Sequence, residues 1–491
     1  MKRIINLISS HKVFLAILVI LASIFLLTLG QTKLWDWDEC LYAGYARSMR
    51  MSYNALTNYW NGQVMLDKIP FYTVILQTPL FFSSSEFALR IVNVVFTLFL
   101  LFYVYFFTTI RFSKRIGIFA ILILLTGDVL VRYFTKISTD IPYALFIILG
   151  YLVYTSSITL RKRGLLAGFA LGLAALVEGL GVFPFLISLL IMILIFEKKS
   201  KFRLSTWLIF GFTITIVPWL LVEYMVYGEK FINVYFIENI IQRSRYPIEF
   251  HFGGRLFYLK HIFKELFPWV LLIFVWPLFF LKKLKNITLD NLISEIRSQQ
   301  RIIEIVLLIF IPLVFLTMAK TKIEWYVAPI YPFLAIYLAC CLHLLIRTLK
   351  LKNIIVLVIA ILIAADGFYF VIKENKLFET VKTSSRDEIA IISSREPEKN
   401  LDYLVQFSER RAREILNPTL YTSFTWIYGG NPCAHYYSKK HINYYYRTND
   451  FQKRLGKGNG LFLIHNGDRH YLKDYNVDIV SENSDFTLFR L

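Results

Sequence analysis

The chain has 491 residues, 56% of them apolar and 17% aromatic, and a formal net charge of +20. Soluble domains average about 45–50% apolar, and soluble chains of this length divide into domains joined by polar linkers; here apolar runs of about 17–25 residues recur instead, the length that crosses a bilayer. The positive charge is concentrated in short loops between those runs, where it sets topology, and no soluble basic module is present, so nucleic acid is excluded as a partner.

Lys2, Arg3 and Lys12 precede an apolar run from Val13 to Leu29, which is longer than a signal-peptide core, lacks a clean cleavage site and is expected to stay as a first span. With it, runs near 12–30, 87–110, 116–132, 140–160, 164–178, 181–196, 205–227, 267–281, 302–319, 325–346 and 353–372 give about 11 transmembrane helices. The runs 164–178 and 181–196 meet at Glu178-Gly179-Leu180-Gly181 and are read as two crossings. Charge is the reason. With the N-terminus inside, the inner loops hold Arg111/Lys114/Arg115, Arg161/Lys162/Arg163, Lys198/Lys199/Lys201/Arg203, Lys282/Lys283/Lys285 and Arg347/Lys350/Lys352, all basic. Merging the two runs would put several of these clusters on the wrong face.

The outer face then receives loops 31–86 and 228–266, a short loop at 133–139 and the tail 373–491. The tail shifts to short apolar runs, Tyr403-Leu404-Val405, 461–464 and 486–489, which predict strands. Glu409–Leu416 predicts a short helix capped by Ser408, and Gly429-Gly430-Asn431-Pro432 and Gly458-Asn459-Gly460 mark turns. The expected architecture is a polytopic α-helical protein of the plasma (inner) membrane, N-terminus cytoplasmic, with a transmembrane domain over 1–372 and a small extracytoplasmic α/β domain over 373–491. No phosphate-binding glycine motif occurs in that tail. Cys340 and Cys341 lie in an apolar run as packing residues; Cys40 and Cys433 both fall outside, and their pairing stays open because nothing fixes their distance. No Cys/His spacing resembles a zinc site.

Long outer loops on a rigid scaffold are where sites are carried. Asp36, Asp38 and Glu39 follow the first span directly, beside Trp35 and Trp37, with a helix expected over Glu39–Met51. Such acids cap a helix or perform chemistry, and an acidic cluster at the membrane edge of a basic protein favours chemistry. Lys68 in Asp67-Lys68-Ile69-Pro70 is either a snorkelling lysine or a point charge for a phosphate oxygen. Asp140 opens the fourth span as a cap or a functional acid. The second large loop carries Glu238, Arg243, Arg245, His251, Arg255, Lys260 and His261, a basic cluster on the face that the topology rule leaves poor in such residues, so an anionic ligand is expected there. Lys320 and Lys322 lie in a tight outer loop ahead of Tyr326. Cations and carboxylates thus alternate around one outer mouth. A transferase using a polyprenyl-phosphate sugar needs this set: cations where the leaving phosphate gains charge, and a carboxylate base for the acceptor hydroxyl.

The order Asp38-Glu39 with Tyr42, Ala43 and Arg47, Asp67-Lys68-x-Pro70, Thr139-Asp140-x-Pro142, a histidine-bearing loop ending Phe267-Pro268-Trp269, and Lys320-x-Lys322-x-x-x-Tyr326-x-x-Pro329 resembles the GT-C glycosyltransferases of the protein O-mannosyltransferase and lipid A aminoarabinose transferase group, over roughly 10–350. The resemblance implies Asp38 as catalytic carboxylate with Glu39 beside it, Asp140 supporting the site, Lys68, Lys320 or Lys322 and Tyr326 at the donor phosphate, and His251 as the loop histidine. It also implies inversion by direct displacement, no catalytic metal and no cofactor. The donor would be a polyprenyl-phosphate sugar and the acceptor a lipid such as lipid A, a protein or an envelope glycan. Two positions depart from the group: Val177-Glu178-Gly179 replaces Thr-Lys-Gly, exchanging a cation for an acid, and Thr135 stands where an arginine is common, with Lys136 beside it. A flippase for a lipid-linked glycan and a non-catalytic scaffold are the rival readings; transporters often carry repeated halves, and no repeat is seen.

Overall fold

The computed structural model describes residues 11–35, 37–197, 199–247, 251–284, 296–377, 383–406 and 432–491. Helices α1 (Lys12–Thr28) and α2 (Asp38–Ser52) are followed by a hairpin of β1 (Asn58–Trp60) and β2 (Gln63–Met65), and by α3 (Phe71–Leu76). Then come α4 (Glu86–Arg111), α5 (Lys114–Leu125), α6 (Asp128–Arg132), α7 (Asp140–Tyr154), α8 (Leu160–Glu178), α9 (Phe183–Phe196) and α10 (Lys201–Tyr227). After a π-helical stretch at Ile232–Gln242 follow α11 (Phe257–Glu265), α12 (Val275–Leu284), α13 (Gln300–Met318), α14 (Tyr331–Thr348) and α15 (Asn353–Glu374). Ser85 and Ser113 cap α4 and α5 by accepting from Ala88 N and Ile116 N, which satisfies donors left over at a helix start.

Each apolar run read from the sequence is helical, but fewer pass as spans by length and composition. Among the described residues six helical stretches do so, and the pair Phe257–Glu265 and Trp269–Lys282, bent by 114°, makes seven. Lys12–Thr28 and Asp140–Tyr154 are apolar but shorter. One of the six, Leu160–Phe196, is 37 residues long, which as a straight helix would reach about 55 Å. It does not run straight. Arg163 near its start forms an ion pair with Glu197 just past its end, so the chain reverses between them, at Gly179. Helices α8 and α10 accordingly run parallel: Gly164 abuts Leu204 and Trp207, Gly168 abuts Leu208 and Phe212, and Gly172 abuts Thr215. Small residues every four positions let two backbones touch, the packing that holds helices together in lipid. A Cβ at Gly168 would overlap the Leu208 carbonyl oxygen. Gly168→Val is therefore expected to cost at least about 1–3 kcal/mol of packing and to lower the yield of monodisperse protein in size-exclusion chromatography.

The burial of the spans orders the bundle. The most apolar stretch of Glu324–Thr348 is 78% buried, against 17% in Asn353–Glu374 and 22% in both Lys201–Tyr227 and Gln300–Met318. The first is the central helix, and the other three turn most of their surface outward, where Phe202, Ile214, Phe310, Ile354 and Leu362 stand exposed.

The tail forms α16 (Ser385–Ser393), β3 (Asn400–Leu404), α17 (Pro432–Ser438), β4 (His441–Tyr445), α18 (Thr448–Leu455), β5 (Leu461–His465), β6 (Asp478–Glu482) and β7 (Phe486–Arg490). The sheet order is β4-β3-β5-β7-β6; β3 runs parallel to β4 and β5, and β7 antiparallel to β5 and β6. The three expected strands are present, with β4 and β6 added at the edges; the helix expected over Glu409–Leu416 lies outside the described residues. Cys40 and Cys433 pair as a disulfide, with Cα atoms 5.0 Å apart and a sequence separation of 393. Cys340 and Cys341 are free and buried.

Candidate active site

The helix α2 starts at Asp38 and is anchored by Glu39, which is 2% exposed. The Glu39 carboxylate accepts from Arg90 Nε at 2.8 Å and Nη2 at 2.6 Å, from Trp35 N at 2.6 Å and from Ile137 N at 2.9 Å. Arg90, one turn into α4, also donates to the carbonyls of Leu29, Thr32 and Lys33. One buried, doubly hydrogen-bonded ion pair thus ties the end of α1, the start of α2 and the loop 133–139 together. The same loop is held from α4: Asn93 donates to the Lys136 and Ser138 carbonyls and Thr97 to that of Phe134. Both oxygens of Glu39 are engaged in this way. The sequence reading passed over Arg90; a lone cation at the head of an apolar helix was the available signal.

Around Asp38 the expected site residues converge. Lys68 follows the hairpin, whose Asn61-Gly62 turn has positive φ at both positions, the two-residue turn that matches strand twist. Asn58 Nδ2 holds the Lys68 carbonyl at 2.9 Å. Tyr42, with the carboxylates of Glu178 and Asp67, keeps the Lys68 ammonium above the ordinary lysine range, against its burial and the nearby Arg243. Burial raises Tyr42 well above its usual value, helped by Glu178 and Asp38 and opposed by Lys68 and by a hydrogen bond with Thr139. Asp140 is buried, accepts from Ser138 Oγ at 2.5 Å and interacts with the charges of Glu178, Asp38 and Lys68. Asp38, Tyr42, Lys68, Thr139, Asp140, Glu178 and Arg243 thus form one electrostatic cluster in which carboxylates and cations alternate.

The other expected cations arrive as a pair of segments. Lys320 N donates to Ser244 O at 2.9 Å, Thr321 N to Arg243 O at 3.2 Å and Lys322 N to His251 O at 3.0 Å, so the turn after α13 lies along the loop after the π-helix. This carries Arg243, His251 and Lys320 to one edge. Lys320 and Arg245 are exposed, and the His251 ring stands 6.4 Å from Trp325, edge to face. Tyr326 is half-buried and interacts with Tyr258. Lys322 behaves differently from expectation: its Nζ donates to the carbonyls of Leu316 and Thr317 at 2.8 and 2.7 Å. It caps the C-terminus of α13, where a cation neutralises the exposed carbonyls, and is not turned to a ligand.

The tail is fastened to the same first loop. Besides the disulfide, Arg47 donates to the carbonyls of Tyr436 and His435, the Tyr437 hydroxyl accepts from Leu34 N at 2.7 Å, and Asn61 exchanges two hydrogen bonds with Ile442 at the edge of β4. His435 packs on Trp60 with ring centres 4.3 Å apart, and burial beside Arg47 and His441 pushes its imidazole down to about 3, so it stays neutral. A cavity of about 780 Å³ opens behind the Glu39–Arg90 pair, lined by Lys33, Lys136, Lys373, Glu374 and Arg386 among others. None of Asp38, Lys68 or Asp140 lines it.

Residues 69–222 match the model of the dolichyl-phosphate-mannose-protein mannosyltransferase family. An uncharacterized protein of Aquifex aeolicus (strain VF5) is 27% identical over 342 residues, 67% of this chain and 63% of that relative, so the match spans less than two thirds of the relative's length. Among solved structures, ArnT from Cupriavidus metallidurans in the apo state is similar over 97% of both chains, with a TM-score of 0.71 and 16% identity, and the same protein bound to undecaprenyl phosphate gives 0.70. The oligosaccharyltransferase of Archaeoglobus fulgidus follows at 0.55 and 14% identity, over 87% of this chain and 64% of that one. The resemblance carried by the ordered motifs therefore holds for residues 69–222, which are similar to the dolichyl-phosphate-mannose-protein mannosyltransferase family, and for the fold, which is the one seen in ArnT.

Proposed function

We propose that this chain is an inverting glycosyltransferase that moves a sugar from a polyprenyl-phosphate donor to a lipid, protein or glycan acceptor at the outer face of the plasma membrane. The observation that carries the proposal is the meeting of two cations, Lys68 and Arg243, with the carboxylates of Asp67, Glu178 and Asp140, the last of these beside Asp38. In this reading Asp38 accepts the proton of the acceptor hydroxyl as its oxygen bonds to the sugar's anomeric carbon. The bond from that carbon to the phosphate oxygen breaks on the opposite side, and the electron pair leaves with the polyprenyl phosphate. Lys68 and Arg243, with Lys320 at the edge, meet the charge that develops there. Glu39 positions Asp38 through Arg90, and Asp140 supports the site. Basic loops on the opposite face support an outer location for this mouth, and the ArnT structure with undecaprenyl phosphate supports the donor class.

Binding tests the donor class. Wild-type protein in nanodiscs is expected to bind radiolabelled undecaprenyl phosphate, and Lys68→Gln to weaken that binding by roughly tenfold or more, the loss of one charge-assisted contact of about 1.5–3 kcal/mol. Equal binding of undecaprenyl phosphate and the neutral alcohol by the wild type would sink the reading.

A further inference from the structure

Glu178 ends α8, and the residue after it, Gly179, has φ +79°, a conformation that side-chain-bearing residues rarely take. The turn places the Glu178 carboxylate inside the cluster, where it interacts with Lys68, Tyr42 and Asp140. Its Oε2 is out of contact with solvent and has no hydrogen-bond partner among the described residues. A second, independent atom is in the same condition. Tyr235 is 3% exposed, and its hydroxyl is buried and unpartnered among the described residues. That hydroxyl stands 3.0 Å from where a Cβ on Gly179 would lie, so it faces the backbone of the Glu178 turn. Its ring is fixed by Phe231 and Trp219, with centroids 5.3 and 5.6 Å away, and it is carried by the π-helical stretch Ile232–Gln242, a rare geometry that is frequent at functional sites.

A buried carboxylate oxygen and a buried hydroxyl left unmade are costly. Their chemistry selects the occupant. An ionised carboxylate only accepts hydrogen bonds and repels phosphate, so this side of the cluster does not take the donor's phosphate, which Lys68 and Arg243 attract. What remains of a polyprenyl-phosphate sugar is the sugar ring, whose hydroxyl or amino hydrogens are donors. We propose that Glu178 and the Tyr235 hydroxyl bind a hydrogen-bond donor on the transferred sugar and so determine which sugar the enzyme accepts. This rests on the function proposed above. A site built to pair such a group rejects analogues lacking it strongly, because its own polar atoms are then left unpaired.

The test compares undecaprenyl phosphate with undecaprenyl phosphate carrying mannose, glucose or an aminopentose, each titrated onto wild type, Glu178→Gln and Tyr235→Phe in nanodiscs. At least one sugar is expected to add affinity to the wild type. Tyr235→Phe, which changes no charge, is expected to lose that increment by at least tenfold while binding bare undecaprenyl phosphate within about twofold of wild type, and Glu178→Gln is expected to lose the increment too. If Glu178→Gln fails to fold, Tyr235→Phe, which removes one oxygen, reads the same increment. The proposal is overturned if no sugar adds affinity, if the increment survives in the folded variants, or if Tyr235→Phe loses bare undecaprenyl phosphate in parallel. Failure of wild type to bind undecaprenyl phosphate at all would instead overturn the donor class.

Discussion

Asp38→Asn is expected to abolish sugar transfer, by roughly 10²–10⁴-fold if the carboxylate acts as the general base, and to leave the protein folded. Asparagine keeps the size of the side chain and removes its charge, and the N-cap position of α2 is Trp37, so no cap is exchanged. Asp38 is half-buried at the first turn of α2, and its neighbour Glu39 ties that turn to Arg90. The measurement is mass spectrometry of envelope lipids and glycopeptides from cells lacking the native gene and carrying either version. Wild type is expected to restore a mass increment that Asp38→Asn does not, at equal protein level and with Cys40 and Cys433 still paired. Full restoration by Asp38→Asn would remove Asp38 from the chemistry and favour a transport or scaffold role.

The second large effect is structural. Arg90→Met leaves the Glu39 carboxylate, 2% exposed, without its counter-ion and frees the carbonyls of Leu29, Thr32 and Lys33. Removing one partner of a buried pair costs about 3–5 kcal/mol. A clear fall in Tm is expected, followed by the fluorescence of the nine tryptophans in detergent. Arg90→Met with Glu39→Gln should recover part of the loss, since the uncompensated charge is then gone. An unchanged Tm for Arg90→Met would show that the pair does not hold the first loop.

Much of this was legible because two rules act locally. Apolar run length and loop charge separated 164–178 from 181–196, and the Arg163–Glu197 ion pair and the parallel course of α8 and α10 agree with that reversal. The cluster of Asp38, Lys68, Asp140 and Arg243 was legible as a set of residue types on one face. What was not legible depends on contacts between distant segments. Nothing in the sequence near Glu39 or Lys322 says that one is consumed by Arg90 and the other by the end of α13. Glu178 stood out only as an acid where the resembled group has a cation; its neighbours Tyr235 and Tyr42 come from segments far along the chain. The edge strands β4 and β6 were missed because their residues are largely polar and only partly buried.

The disulfide has an arithmetic consequence for topology. Cys40 and Cys433 are bonded, so both ends of the intervening chain return to one side of the bilayer, and the number of crossings between them is even. Ten of the apolar runs read from the sequence fall in that interval, which meets the condition. Counting Leu160–Phe196 as one crossing would leave nine and strand the two sulfurs on opposite faces. A parity of this kind turns a single covalent bond into a checksum on the whole membrane path: an added or lost crossing between those cysteines would break the bond, and a non-reducing gel would reveal it.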